Sequence, residues 1–211
     1  MERLAYWLKH RLPWLFRGVE AVARGVTVLR FGGRIRRARK QGSLQGRVAG
    51  EPAVMRPLGV EDLDALSGFL SGQSEERLQY FRPHAFDRRS LRRVLASGAF
   101  LTYGLFVEDR LAAYALLKVA PTGSAFIGRL VDKNYGRMGL GQFLARYLYW
   151  QASLAGLRAR STISRHNPAS LRSHEAVAKF EIVAELPNDY LLIEFPPGSA
   201  KPPELNAGSP G

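Results

Sequence analysis

A glycine-rich turn between an apolar run and an amphipathic helix is the stretch of this sequence best suited to chemistry. Residues 131–142 read Val-Asp-Lys-Asn-Tyr-Gly-Arg-Met-Gly-Leu-Gly-Gln, and apolar residues at helical spacing follow. The first N–H groups of a helix lack internal partners, and the helix dipole adds partial positive charge there. Glycine lets an anion approach the backbone, and Arg137 adds a fixed charge. The pattern predicts a phosphate-binding turn, with a purely structural turn as the alternative.

The spacing of these glycines differs from two common phosphate motifs. No Lys-Ser/Thr pair follows them, as a P-loop would require. Leu144 stands where a dinucleotide fingerprint would place its third glycine. The turn therefore needs a second feature before it identifies a class of protein.

A second segment supplies that feature, because the two together resemble the GNAT acyltransferase superfamily. Residues 131–141, read as V-x-x-x-Y-x-x-x-G-x-G, resemble the family's acyl-CoA turn Q/R-x-x-G-x-G/A, with Gly136 at the Q/R position. Residues 167–174, Asn-Pro-Ala-Ser-Leu-Arg-Ser-His, resemble the family's Asn-x-x-Ser-x-x-x-Tyr helix. The resemblance covers residues 52–195. It implies a mixed α/β (α+β) fold with a mostly antiparallel central sheet flanked by helices.

The resemblance also implies an activity and a cofactor set. We expect transfer of an acetyl or other acyl group from acyl-CoA to an amine on a small molecule or protein, without a metal. The implied cofactor-binding residues are Leu130, Val131, Arg137, Met138, Gly139, Leu140, Gly141, Gln142, Asn167 and Ser170. Here Arg137 substitutes for the missing Q/R side chain, and backbone near Leu130 and Val131 binds the thioester carbonyl.

Proton transfer requires two further groups. His174 stands where the family often has the tyrosine that protonates the departing thiolate, and an imidazole pKa near 6.5 suits that role. The alternative is a packed or surface histidine. The family often uses a carboxylate on the strand before the turn as the amine's base, but residues 125–131 contain none. His84, Tyr103 and Asp132 are the remaining candidate bases.

An aromatic and basic loop at residues 80–87 interrupts the regular pattern. By the resemblance this segment shapes the acceptor pocket. Its candidate substrate residues are Tyr80, Phe81, Arg82 and His84. A packed aromatic corner is the alternative.

The basic charge of the chain is concentrated at its N-terminus. Residues 1–49 hold 12 of the 31 basic and 2 of the 18 acidic residues, with apolar residues at helical spacing and tryptophans at 7 and 14. This arm predicts an amphipathic helix that docks, through residues 1–40, on an anionic membrane or a protein surface, including its own domain or a second subunit. The absence of serine before Ser43 argues against a transit peptide. Nucleic acid is disfavoured because the aromatics share the apolar face.

Composition sets the remaining bounds. The 211 residues suit one domain with extensions, predicted as an arm and linker at 1–49, a catalytic domain at 50–196 and a disordered tail at 197–211. No cysteine is present, which excludes disulfides and thiolate chemistry and suits the cytoplasm. The four histidines show no metal-ligand spacing. A homodimer remains open, as does a catalytically inactive GNAT-fold module that binds CoA or a partner, or a membrane-surface adaptor.

Hydrophobic periodicity predicts the order of elements. Strands are expected at 53–58, 100–107, 111–119, 125–131, 159–164, 180–186 and 190–195. Helices are expected at 60–70, 74–78, 88–97, 140–155 and from Asn167.

Overall fold

The computed structural model describes residues 13–196, 198 and 200–208. The start of the predicted arm, including Trp7, lies outside these residues. The helices are α1 (Pro13–Lys40), α2 (Leu63–Ser71), α3 (Glu75–Leu78), α4 (Arg88–Leu95), α5 (Leu140–Leu154) and α6 (Pro168–Glu175), with 3-10 turns at Val60–Asp62 and Lys133–Tyr135. The strands are β1 (Leu44–Val48), β2 (Glu51–Pro57), β3 (Phe100–Val107), β4 (Arg110–Val119), β5 (Ser124–Val131), β6 (Arg158–Ser164), β7 (Glu181–Leu186), β8 (Tyr190–Glu194) and β9 (Leu205–Ala207).

These strands form one sheet in the order β7-β8-β6-β5-β4-β3-β2-β1-β9. Neighbours run antiparallel, except that β5 pairs parallel with β6 and β1 pairs parallel with β9. The predicted mixed α/β fold with a mostly antiparallel sheet is confirmed. The chain from β3 to β5 forms an antiparallel meander.

Helices cover both faces of the central strands. On β4, Ala115 and Leu117 join the core beneath α1 and α5, whereas Tyr114 and Leu116 join the core beneath α2 and α4. Because strand side chains alternate between faces, a strand covered on both sides reads as a continuous apolar run. This explains why β4 shows no apolar–polar alternation in the sequence.

Half of the N-terminal helix packs on its own domain. Phe31, Ile35 and Ala38 are buried in the core that includes α5. Arg39 donates through Nη2 to the Leu58 carbonyl at 2.7 Å. Leu29, by contrast, is 90% exposed. Among the surfaces proposed for the arm, its own domain is therefore one that α1 contacts, while an apolar strip of α1 stays on the outside.

The segments on either side of the domain differ from expectation. Leu44–Val48, within the expected linker, forms β1 and pairs with β2. Leu205–Ala207, within the tail expected to be disordered, forms β9 and pairs with β1. Gly46 allows this pairing, because a Cβ there would lie 1.8 Å from the Leu205 carbonyl oxygen. β9 therefore covers the edge that β1 would otherwise expose.

Within the described residues, no helix combines the length and apolar character needed to cross a bilayer.

Candidate functional site

The parallel strands β5 and β6 separate partway along their length. They pair at Ser124↔Arg158, Ala125↔Ala159 and Phe126↔Arg160, and no pairing between them follows. Residues 127–131 of β5 therefore have strand contact with β4 on one edge and an opening on the other. The glycine turn follows β5 directly, so it lies at the mouth of this opening.

The backbone of β5 presents specific groups to the opening. The Asp132 N–H donates to the Ala112 carbonyl on the β4 side at 2.9 Å. Backbone groups in a strand alternate between its two edges, so the N–H and C=O groups of Val131 and Arg129 face the β6 side. The carbonyl of Val131 accordingly accepts a bond from Arg77, which lies on α3. Leu130 was expected among the backbone donors, but the alternation turns its N–H and C=O groups toward β4.

The glycine turn holds the start of α5. Gly139, the N-cap, has φ +75°, and no side chain caps the helix. The N–H groups of Leu140 and Gly141 donate to no backbone carbonyl in the described chain. A Cβ at Gly139 would meet nothing within 4 Å, so space beside these amides is open. The turn thus combines uncapped amides with the positive end of a 15-residue helix.

Arg137 occupies an unfavourable backbone position in this turn. Its φ is +63°, in the left-handed region that favours glycine, whereas the preceding Gly136 has φ −62° and needs no glycine. The arginine and the glycine therefore stand in the reverse of the order that the backbone favours. Arg137 is exposed, so its guanidinium is accessible to an anion at the turn.

Residues from the loop after α2 and from α3 fix the end of β5. Asp132 accepts bonds from the Asn134 N–H and from Gln73 Nε2, both at 2.9 Å. Arg77 Nη2 donates to the Val131 carbonyl at 2.5 Å. Because both carboxylate oxygens of Asp132 already accept hydrogen bonds, the side chain has a structural role as well as its candidate role as a base.

The guanidinium of Arg129 bridges β5 to both helices beside the opening. It donates to the Gly141 carbonyl on α5, to Ser173 Oγ on α6 at 2.5 Å, and lies 2.8 Å from His174 Nδ1. Burial lowers the pKa of Arg129 to about 10, so the side chain remains charged at neutral pH. A charged group thus lies between the glycine turn and the histidine proposed as a catalytic acid.

His174 is buried, with 1% of its surface exposed. Nδ1 lies 2.8 Å from both the Ser170 carbonyl and Arg129 Nη2, and it cannot donate to one and accept from the other at once. Either tautomer leaves Nε2 without a partner among the described residues. Burial, and next the charge of Arg129, lowers the pKa of His174 to about 3. The imidazole is therefore neutral at pH 7, and the expectation of a pKa near 6.5 is wrong.

The other residues of the second motif serve the helix itself. Asn167 is the N-cap of α6, and its side chain accepts from the Ser170 N–H at 3.1 Å. Ser170 Oγ lies 3.4 Å from Arg129 Nη2. Simple capping, the alternative to cofactor binding by Asn167, is thus the contact that the structure shows.

The aromatic and basic loop lies on the opposite face of the sheet, beside β4 and β5. Phe81 is buried between Phe86 and Tyr114, so the packed corner is present. His84 contacts Tyr114, with Nε2 3.0 Å from the tyrosine oxygen. Arg82 and His84 line a cleft of about 990 Å³, whereas Tyr80 is an exposed residue outside that lining.

The other candidate base, Tyr103, lies away from both the β5–β6 opening and the cleft beside the aromatic loop. It is fully buried beneath α5 and donates to Gln151 Oε1 at 2.7 Å. Burial raises its pKa above the ordinary value. Tyr103 therefore does not serve as a base. Within residues 13–196, 198 and 200–208, no three histidine or acidic side chains gather into a metal-binding group.

Comparison with known proteins identifies the fold. No protein-family model matches the sequence, and no curated protein does. The GNAT domain of PAT from S. lividans matches with a TM-score of 0.63 at 16% identity, over 74% of this chain and 97% of that domain. Ribosomal-protein-S5-alanine acetyltransferase from Vibrio fischeri matches at 0.60 and 13%, over 76% and 99% of the two chains. AAC(6')-Ib, in complex with paromomycin and acetyl-CoA, matches at 0.53 and 19%, over 67% and 91%. This chain has the GNAT acetyltransferase fold, so the resemblance read from the two motifs is confirmed.

Sequence reasoning did not predict four side chains that lie at the β5–β6 opening or the cleft. They are Gln73, Arg77 and Arg129 at the opening and Lys118 at the cleft. Two of them carried a signal, since Lys118 and Arg129 are the charges inside otherwise apolar strand runs. Gln73 and Arg77 carried none, because their partners lie 59 and 54 residues away.

Proposed function

We propose that this protein transfers an acyl group, most simply acetyl, from acyl-CoA to an amine. The observation that carries the proposal is the separation of β5 from β6 directly before the glycine turn. The turn offers uncapped amides to the cofactor diphosphate, and the exposed strand edge offers backbone groups to the pantetheine arm. The acetyl-CoA in the AAC(6')-Ib complex supports this assignment by fold alone.

The reaction joins the amine nitrogen to the thioester carbonyl carbon. The C–S bond then breaks, CoA leaves as a thiolate and the nitrogen loses a proton. A main-chain N–H on the open edge of β5, from Arg129 or Val131, is oriented to stabilise the carbonyl oxygen as it gains charge. The Arg129 guanidinium supplies positive charge beside the sulfur. Neutral His174 contributes a hydrogen-bond donor only in its Nε2–H tautomer.

The amine's proton requires a base on the acceptor side. His84 lines the cleft and contacts Tyr114. Burial lowers the pKa of His84, and the charge of Lys118 lowers it further against the opposing bond to the Ala85 carbonyl. The imidazole is therefore neutral at pH 7 and able to accept a proton.

Thiol release tests the proposal directly. The protein has no cysteine, so a thiol reagent such as DTNB reports only CoA released from acetyl-CoA. Release that depends on an added amine is the expected result. Acetyl-CoA binding without release for any amine would favour the inactive CoA-binding module, for which the missing β5 carboxylate argues.

A second candidate function concerns the outer strip of α1. Leu29 is 90% and Val22 68% exposed, and Arg36 and Arg37 belong to the same helix. We propose that this strip rests on anionic lipid, because apolar side chains beside arginines suit a membrane interface. In a flotation assay the protein should rise with phosphatidylglycerol vesicles, whereas the Leu29→Glu variant should stay at the bottom of the gradient. Equal flotation of both would remove this candidate.

A further inference from the structure

The cleft beside the aromatic loop is separate from the glycine turn and lies at one end of the sheet, between α1 and that loop. Its volume is about 990 Å³, at the upper end of the range for small-molecule sites. Its walls come from α1, the loop before α4, α4 itself and the adjoining ends of β3, β4 and β5. The charged or titratable lining residues are Arg24, Arg82, His84, Arg93 and Lys118.

The lining of this cleft is cationic. Arg82, Arg93 and Lys118 are exposed, and the lining contains no Asp or Glu. These three cations form no salt bridge with any carboxylate whose side chain the structure describes. Repulsion among unneutralised cations favours an anionic ligand.

Lys118 is unusual in its position. It lies on β4, an interior strand whose residues 112–117 are all buried, yet Lys118 is exposed. Its strand partners are Phe100 and Phe126, and all three residues line the cleft. The cleft therefore exposes a lysine between two phenylalanines at the end of a central strand.

The cleft adjoins the start of the β5 segment that runs along the opening. Phe126 and Gly128 lie on the same face of β5 and two residues apart, which is about 7 Å. Gly128 faces Phe81, whose ring would lie 3.4 Å from a Cβ at that position. The Phe81 ring therefore covers β5 between the cleft and Arg129, so an acceptor whose charged end meets Lys118 passes beside this ring to bring its amine to the open edge.

We propose that this cleft binds the acceptor and that the acceptor carries an anionic phosphate or carboxylate group as well as its amine. The inference rests on the proposed acyl transfer and names the substrate class. Charge-assisted bonds from Lys118, Arg82 and Arg93 hold the anion, while the apolar surfaces of Phe100 and Phe126 contact the part that joins it to the amine. Polycationic acceptors such as the paromomycin bound by AAC(6')-Ib fit this lining poorly.

Matched amine pairs test the inference in the thiol-release assay. The phosphate arm compares glucosamine 6-phosphate with glucosamine, and the carboxylate arm compares 6-aminohexanoate with hexylamine. The expected kcat/KM is at least about tenfold higher for the anionic member in one arm, since a charge-assisted bond contributes that much. Lys118→Gln should bring the ratio of the two kcat/KM values within a pair close to one, and this ratio cancels any effect that the lost charge has through His84. Arg92→Gln, an exposed change on α4 outside the cleft, should alter neither.

The outcomes separate this inference from the proposed function. Turnover of neutral amines as good as that of their anionic partners overturns the inference and leaves acyl transfer intact, as does an equal loss for both in Lys118→Gln. Absence of acetyl-CoA binding removes both. If acetyl-CoA binds but no pair reacts, calorimetric titration with inorganic pyrophosphate at saturating CoA decides. Binding that weakens about tenfold in Lys118→Gln supports the anion site, and no binding overturns it.

Discussion

Replacing Arg137 with glycine should make the protein more stable and its cofactor binding weaker. The φ of Arg137 is +63°, where an L-residue loses about 1–2 kcal/mol relative to glycine. Glycine's greater freedom in the unfolded chain offsets about 0.5–1 kcal/mol of that gain. The net stabilisation of Arg137→Gly is therefore about 0.5–1 kcal/mol. For a chain of this length it corresponds to a rise in Tm of about 1–4 °C.

The same substitution removes a charge from the turn that is proposed to bind the diphosphate. Loss of one charge-assisted contact to a diphosphate should weaken acetyl-CoA binding about tenfold. Two controls separate the effects. Arg137→Asn removes the charge but tolerates the left-handed conformation, so it should match the affinity loss. Gly136→Arg combined with Arg137→Gly returns a charge one residue earlier, where a Cβ would lie 3.2 Å from the Lys133 carbonyl and requires only a small shift.

Thermal unfolding and calorimetric titration of the four proteins provide the measurement. The combined variant should keep the gain in Tm and recover most of the affinity. A lower Tm in Arg137→Gly would show that the Arg137 side chain stabilises the turn more than its backbone strains it. Unchanged acetyl-CoA affinity in Arg137→Gly and Arg137→Asn would show that Arg137 does not face the diphosphate.

Three further predictions follow from buried and packed groups. The pKa of His174 is about 3 in the folded protein and near 6.5 in the unfolded chain. As the pH falls below 6.5 the unfolded chain binds a proton here and the folded protein does not, so the free energy of unfolding decreases. The unfolding free energy from urea titration should drop by about 3 kcal/mol between pH 7.5 and 4.5 from this group alone, and a His174→Leu variant with the same slope would contradict this. Arg129→Met should lower kcat more than it raises KM for acetyl-CoA, and an unchanged kcat would show that Arg129 does not stabilise the departing thiolate. Leu205→Asp should destabilise the protein by about 2–3 kcal/mol, because this buried residue anchors β9 to β1, and equal urea midpoints would show that β9 is dispensable.

The predicted order of strands and helices agrees with the structure because local signals define these elements. Asp87 and Asn167 cap helices through bonds to residues three positions on, and such caps are visible in a short window of sequence. The glycine turn could likewise be predicted, since the strand, the glycines and the start of the helix are contiguous in the sequence.

The contacts that shape the opening and the cleft could not be predicted from the sequence, because they join distant segments. Arg129 contacts α6 across 44 and 45 residues of sequence, and only the folded structure shows that its charge lies beside the β5–β6 opening. The pKa of His174 likewise depends on burial beneath that arginine, so motif position alone gave a misleading value. β9 was missed because proline and glycine suggest disorder, whereas the pairing depends on the bare backbone of Gly46.

Calorimetric titration of acetyl-CoA into the wild type and Gly141→Ala tests the central claim most directly. A Cβ at Gly141 would lie 3.6 Å from the Arg129 guanidinium, an ordinary contact, so the fold should be retained. The added methyl group lies at the first turn of α5, where the diphosphate is proposed to approach the amides. Wild-type binding that weakens at least about tenfold in Gly141→Ala, with Tm unchanged or higher, is the expected result. Equal affinity in both proteins, or no binding of acetyl-CoA at millimolar concentration, would contradict the proposed site.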